Sequence, residues 1–209
     1  MTEEFGKDFW EQRYRGHTAT RVRQPNAQLV AEAPALAPGT ALDAGCGEGA
    51  DARWLAERGW RVTAVDIAAA ALEHARKQAE MSGAEAADRI DWVEADLTAW
   101  VPPADHFDLV STHYVHAAAS REALFGRLAA AVAPGGTLLV VGHHPSGHGT
   151  AAVHGAPREV HFTAEEIAAD LDPARWEIVV AEARTRSVTG HGGQELTLED
   201  AVLRARKRP

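Results

Sequence analysis

The sequence has a single cysteine, Cys46, among its 209 residues. An internal disulfide is therefore excluded, and a lone cysteine in a glycine-rich turn suits a reducing cytoplasm. Long apolar runs are also missing. The longest, Ile67 to Leu72 and Leu138 to Val141, fall far short of the roughly 20 residues that a membrane-spanning helix needs. The first residues, Met1-Thr2-Glu3-Glu4, are acidic and no apolar leader core follows, so a cytoplasmic protein is expected. Basic residues are in deficit: 21 Lys and Arg face 30 Asp and Glu, a net charge of −9. A surface that tracks nucleic-acid phosphates needs the opposite balance, so the expected partner is a small molecule, with no nucleic acid and no membrane. The one basic run, Arg204 to Arg208, reads as a solvated chain end. No internal repeat or low-complexity linker stands out, which leaves a single domain with an N-terminal extension, as a monomer or homodimer.

What is present is ordinary globular composition, 45% hydrophobic and 24% charged. In the extension, Phe5, Phe9, Trp10 and Tyr14 recur at near-helical spacing, the mark of a short amphipathic helix. A second helix is expected from Pro25-Asn26, turning Leu29 and Val30 inward and ending near Pro34. From Thr40 strands alternate with helices. The strands are 41–44, 61–65 (ending at Asp66), 90–93, 107–111 and 137–141; the helices are about 50–58, 69–80 and 121–132. Ser82-Gly83 stops the second of these helices, and Pro134-Gly135-Gly136 turns the chain into the fifth strand. This rhythm predicts an α/β, Rossmann-like, doubly wound parallel sheet. The chain end breaks it. Thr163-Ala164-Glu165-Glu166 is a capping box with Phe162 and Ile167 as its staple. Two strand-like segments follow, 176–183 and 195–204, parted by Gly190-His191-Gly192-Gly193 with no room for a crossover helix, so they should pair antiparallel.

Between the first strand and its helix lies Leu42-Asp43-Ala44-Gly45-Cys46-Gly47-Glu48-Gly49. Glycines there let backbone approach a ligand, and the helix N-terminus suits an anionic group such as a carboxylate. Asp66, at the tip of the second strand, can accept both hydroxyl protons of a ribose, and Asp96, after the third, can reach the exocyclic amine of an adenine. Gly45, Gly47 and Ala50 also fit the G-x-G-x-x-A variant of the dinucleotide fingerprint. Gly49, which makes the loop G-x-G-x-G, Asp43 before it and the helix, Pro-Gly-Gly turn and strand of 128–141 shift the balance away from that reading.

Together with Val65-Asp66, Ala95-Asp96-Leu97, Phe107-Asp108-Leu109-Val110 and Ala133-Pro134-Gly135-Gly136-Thr137-Leu138, this loop resembles the class I S-adenosylmethionine (SAM)-dependent methyltransferases over about residues 38–142. The resemblance implies a seven-stranded sheet of order 3-2-1-4-5-7-6 with strand 7 antiparallel, and SAM as cofactor. It implies that Gly45 and Gly47 approach the methionine part, Asp66 holds the ribose, Asp96 with Leu97 frames the adenine, and Ile67 packs on it. Asp43, Cys46, Gly49 and Thr112 complete the expected cofactor set, Cys46 as a small loop residue. Phe9 to Tyr14 and Pro25-Asn26 are similar to the lid segment of thiopurine- and tellurite-type methyltransferases, which implies a helical lid over 1–37 and a SAM-binding domain over 38–209. The stretch Arg21-Val22-Arg23 departs from those relatives, which often carry a Trp there.

Methyl transfer from a sulfonium is an in-line displacement, to which a protein contributes alignment and exclusion of water. A phenol, alcohol or protonated amine must also lose a proton, and histidine serves near neutral pH. His113 and then Tyr114, which follow the fourth strand, are the candidates for base or substrate orientation; a polar loop without chemistry is the plainer alternative. Trp10, Tyr14, His116 and His143 are candidate substrate contacts, although core packing is the commoner role of such aromatics. The loop after the fifth strand carries His143, His144, His148, His154 and His161. Pro145 and Gly147 oppose a metal-binding helix there, and no metal is expected. The expected function is methylation of a small molecule at O, N or S. Its rivals are a SAM-binding sensor or catalytically silent partner subunit, and a nucleotide-dependent oxidoreductase.

Overall fold

The structure, a computed structural model, describes residues 6–16, 23–116, 120–146, 161–189 and 195–209. Strands β1 (Thr40–Ala44), β2 (Arg61–Asp66), β3 (Ile90–Glu94), β4 (Phe107–His113) and β5 (Val132–His143) run parallel. β7 (Glu195–Lys207) is antiparallel to β5 and to β6 (Trp176–Thr189). The seven strands stand in the order β3-β2-β1-β4-β5-β7-β6, as the resemblance implied.

Helices α1 (Lys7–Arg15), α2 (Ala27–Glu32), α3 (Ala50–Ala56), α4 (Ala69–Ser82), α5 (Ala84–Ala87), α6 (Arg121–Ala131) and α7 (Ala164–Ala169) complete the described elements. A strand covered on both faces reads as a continuous apolar run, and its side chains alternate between faces. Leu138 and Val140 accordingly join Leu42, Val110, Leu128, Phe162 and Ile167 on one face. Leu139 and Val141 join Leu29, Leu55, Trp60 and Leu109 on the other. Two buried layers result, and the parallel strands deliver their carboxyl ends to one edge.

The local signals act as expected at the helix starts. Thr163 and Glu166 exchange capping hydrogen bonds at 3.2 and 3.1 Å, and Asn26 accepts the Gln28 N–H at 2.8 Å to begin α2. Four features differ. Leu29 is fully buried but Val30 is 38% exposed, because neighbours on a helix point about 100° apart and α2 meets the sheet on one stripe. β6 continues past Ala183 to Thr189, since an edge strand facing water can stay paired without apolar side chains. Pro134 to Gly136 lie within β5 rather than before it, where the pairing with β4 shifts register between Phe107 and Leu109. The short α5 was not anticipated. Phe5 and the turn 190–193 lie outside the described residues. Among those described, no helix is long and apolar enough to cross a membrane.

None of the α1 residues is buried. The helix lies against α4, where Glu11 accepts the N–H of Ala70 at 3.2 Å, and Lys7 pairs with Glu94 at the end of β3. It thus roofs the carboxyl edge of the sheet.

Candidate active site

The glycine loop is pinned to β2. The N–H groups of Gly45 and Cys46 donate to the carbonyl of Val65 at 2.8 and 2.9 Å. That of Gly47 donates to Asp66 Oδ2 at 2.8 Å, and Asp66 Oδ1 accepts from Ala68 at 2.9 Å. Burial pushes the Asp66 carboxyl above its ordinary range, and these backbone donors pull it partly back. Gly47, at φ 52°, lies directly beneath α1, and a Cβ there would stand 2.8 Å from the Tyr14 hydroxyl. Gly49, at φ 72°, starts α3, and a Cβ there would meet the Trp92 ring at 2.5 Å.

Above the loop opens a cavity of about 1000 Å3, the upper end of the range for small-molecule sites. Of the residues expected from the sequence, Trp10, Tyr14, Gly45, Cys46, Gly47, Asp66, Ile67, Asp96, Leu97, His113, Tyr114, His116 and His143 line it. Three others are placed differently. Gly49 turns toward Trp92 and Ala75, so it packs the loop onto β3 instead of facing a ligand. Asp43, 2% exposed, and Thr112, 1% exposed, lie within the sheet beneath the loop. Asp43 Oδ2 and Thr112 Oγ1 find no hydrogen-bond partner among the described residues. Burial, with Asp51 next, pushes the Asp43 carboxyl up to about 8. Asp96 is exposed and its Oδ1 accepts from Thr98 N–H at 2.8 Å, shaping the turn after β3. Burial also pushes the Cys46 thiol up, consistent with a small loop residue and not a nucleophile.

Trp10 and Tyr14 face the cavity and belong to neither core layer, which reverses the commoner role of such aromatics. A core position is closed to them because α1 lies on the sheet edge.

On the far side of the loop, His113 Nδ1 meets Asp51 Oδ2 at 2.7 Å, with the two side chains only 5% and 15% exposed. Asp51 Oδ1 also accepts the N–H of Asn26 at 2.6 Å. Burial opposes protonation of His113, yet Asp51, with Asp43 and Asp200 adding to it, holds its proton more tightly than a free imidazole does. Tyr114 leaves β4 at φ 52°. Its hydroxyl meets Asp200, Arg186 and Asn26, and burial raises its proton affinity far above the usual phenol. Of the two residues proposed for base work, Tyr114 is therefore a hydrogen-bond donor.

Tyr114 stacks on His143 at 4.8 Å between ring centres, and His143 lies 5.5 Å from His116 and 5.7 Å from His161. His116 in turn meets Trp10 of α1 at 6.0 Å. The histidines thus form an aromatic wall. Among the described residues no group of three or more His, Cys, Asp or Glu is arranged to hold a metal ion; His148 and His154 lie outside them.

Sequence reasoning missed Asp51, Arg13 and Arg186 as site residues and gave Asn26 only as a helix start and part of the lid segment; all four line the same cavity. An acidic residue in the first turn of a helix is commonplace, so Asp51 carried no signal. Arg186 sits on a strand whose partners only tertiary folding reveals.

Residues 41–136 match the family model of the methyltransferase domain. The chain is 37% identical over 134 residues to trans-aconitate 2-methyltransferase of Paracidovorax citrulli, a match covering 61% of this chain and 47% of that protein. It is 38% identical over 97 residues to malonyl-[acyl-carrier protein] O-methyltransferase of Enterobacter lignolyticus, covering 46% and 35%. The chain thus spans about half the length of these relatives, or less. Its fold is similar to that of TehB from Haemophilus influenzae, with a TM-score of 0.70 at 18% identity over 97% of this chain and 67% of that one. Over residues 41–136 the chain carries a methyltransferase domain, and its sheet order and the loop and carboxylates at the strand ends are similar to those of the class I SAM-dependent methyltransferases, whose cofactor is SAM.

Proposed function

We propose that the protein transfers the methyl group of SAM to a carboxylate oxygen of a small organic acid. The observation that carries this reading is the division of charge along the cavity. Glu48 (paired with Arg23), Asp66 and Asp96 line its β1–β3 side, with Asp43 beneath; His113 (paired with Asp51), His116, His143 and Arg186 line the side over β4 to β6. The first half suits a cationic nucleoside: Asp66 for the ribose, Asp96 with Leu97 and Ile67 around the adenine, and Gly45 and Gly47 near the methionine part. The orphaned oxygen of Asp43 fits a nearby cation. The second half suits an anion, and the named acceptors of the two relatives, trans-aconitate and a malonyl group, are acidic.

Bound SAM supplies an electrophilic methyl on a sulfonium: the acceptor oxygen forms the new bond to carbon as the sulfur–carbon bond breaks and its electron pair stays on sulfur. A carboxylate is already deprotonated, so the chain need not remove a proton. His113, whose proton Asp51 holds more tightly than a free imidazole does, is then better suited to orient the acid through Nε2 than to act as base. Within the N-terminal segment 1–37, the described helices α1 and α2 form the lid over the domain of 38–209. Trp10 and Tyr14 exclude water, and the hydrogen bonds of Glu11 to Ala70 and Asn26 to Asp51 hold the lid down.

Calorimetry with SAM and with NAD tests the cofactor, and NAD binding without SAM binding would overturn it. Labelled SAM offered with small carboxylic acids, thiols, phenols and amines tests the acceptor. Transfer confined to thiols or amines would refute the carboxylate reading. SAM binding with transfer to none would leave a sensor or a silent partner subunit.

A further inference from the structure

We infer that Arg186 is the acceptor's anchor: its guanidinium takes a second carboxylate, remote from the oxygen that is methylated. This rests on the methyltransferase reading above and goes beyond it by predicting an acceptor with two acidic groups. Arg186 stands on β6, an edge strand, yet its side chain crosses β7 and reaches the cavity. It is oriented on the way. Asp200 of β7, fully buried, accepts from Arg186 Nε through both oxygens, at 3.0 and 2.9 Å. Gln28 of α2 donates to the same carboxylate at 3.4 Å, and Arg184 holds the Gln28 carbonyl oxygen at 3.1 Å.

A guanidinium has five N–H donors in a rigid plane. Asp200 occupies the Nε edge, and the guanidinium carbon lies 5.2 Å from the centre of the Tyr114 ring, at the cavity wall. The Tyr114 hydroxyl takes one further N–H, which leaves the other Nη donors for a ligand, and planar two-point contact is the geometry by which arginine reads carboxylates. Position decides what it can read. The glycine loop follows β1, and β7 lies three strands away, about 14 Å at ordinary strand spacing. A group held on the Asp200 side of Arg186 therefore lies apart from the loop, and it is the carboxylate that is not methylated. An acceptor touching both must carry acidic groups joined by a short carbon chain.

The test uses the full chain with labelled SAM and two probes, trans-aconitate and the monocarboxylate crotonate. Arg186→Gln should raise KM for trans-aconitate about 30-fold, the worth of a charge-assisted contact, with kcat changed far less. The preference for trans-aconitate over crotonate, as a ratio of kcat/KM, should collapse by a similar factor. Arg186→Lys keeps the charge beside Asp200 but loses the fork, and should still raise KM about tenfold. Calorimetric affinity for SAM, measured on each variant, separates anchor from fold. An unchanged KM in the lysine variant, or equal losses for both probes, would overturn the anchor while leaving the methyltransferase reading intact. So would a wild type that binds SAM and methylates only monocarboxylates. A wild type that does not bind SAM would overturn the cofactor reading, and the anchor with it.

Discussion

The His113–Asp51 pair offers the sharpest test of the site's electrostatics, through Asp51→Asn. The carboxylate serves two donors, the Asn26 N–H at 2.6 Å and the His113 ring at 2.7 Å. An asparagine has the same shape but one acceptor and one donor. It can keep the Asn26 hydrogen bond through its oxygen and donate to His113 Nδ1 only if the imidazole is neutral. The cost therefore depends on pH. His113 holds its proton more tightly folded than unfolded, so the pair's contribution is fully present below the unfolded value near 6.5 and fades as pH rises through the folded one. At pH 6 the substitution removes a largely buried charge-assisted hydrogen bond and should cost about 1.5–3 kcal/mol. Toward pH 9 the proton is progressively lost, and the cost should shrink toward about 0.5 kcal/mol, much of it the lost attraction of Asp51 for the α3 N-terminus. Urea denaturation at the two pH values measures both numbers, and NMR titration of the His113 ring gives the proton affinity directly. Equal losses at pH 6 and pH 9, or a wild-type His113 that titrates below free imidazole, would refute the ion pair and its role in orienting an acid.

Three further outcomes are expected. Asp66→Ala removes the acceptor of the Gly47 and Ala68 N–H groups and should weaken SAM binding by calorimetry at least tenfold, about 1.4 kcal/mol; unchanged affinity would refute the ribose assignment. Gly49→Ala combines a left-handed φ of 72° with a Cβ 2.5 Å from Trp92, so it should destabilise the fold by about 2–4 kcal/mol in denaturation; a neutral substitution would contradict the packing described for the loop. Burial holds the Asp43 proton more tightly than in a free carboxyl, and a cation placed above it should favour the loss of that proton. SAM binding should then release protons at pH 7, seen as a heat that varies with buffer ionisation enthalpy. Buffer-independent heat would count against Asp43 as the cation's neighbour.

The fold and the cofactor end were legible in the sequence because both are written locally. The period of apolar residues from Ala41 to Val141 specifies strands and helices in alternation, and right-handed crossovers leave few ways to stack them. Gly47 and Asp66 could be placed at the cavity because a tight turn and an acidic strand tip are each set by their own short segment. Val30, and the lower half of β6, were misjudged for the converse reason. Their exposure depends on which neighbour covers them, and that is not a local property.

The sequence by itself determined the layer architecture, the antiparallel final hairpin and the loop with its carboxylate at the neighbouring strand end. Only the tertiary structure decided that Gly49 faces the core, that α1 roofs the cavity, that Asp51 grips His113, and that Arg186 crosses β7 to the cavity. The separations explain the difference. Asp51 and His113 are 62 residues apart, and Arg186 depends on Gln28, Tyr114 and Asp200, drawn from α2, the end of β4 and β7. Periodicity reports what each segment buries. The pairing of charges between segments exists only once the sheet has brought their ends to one edge.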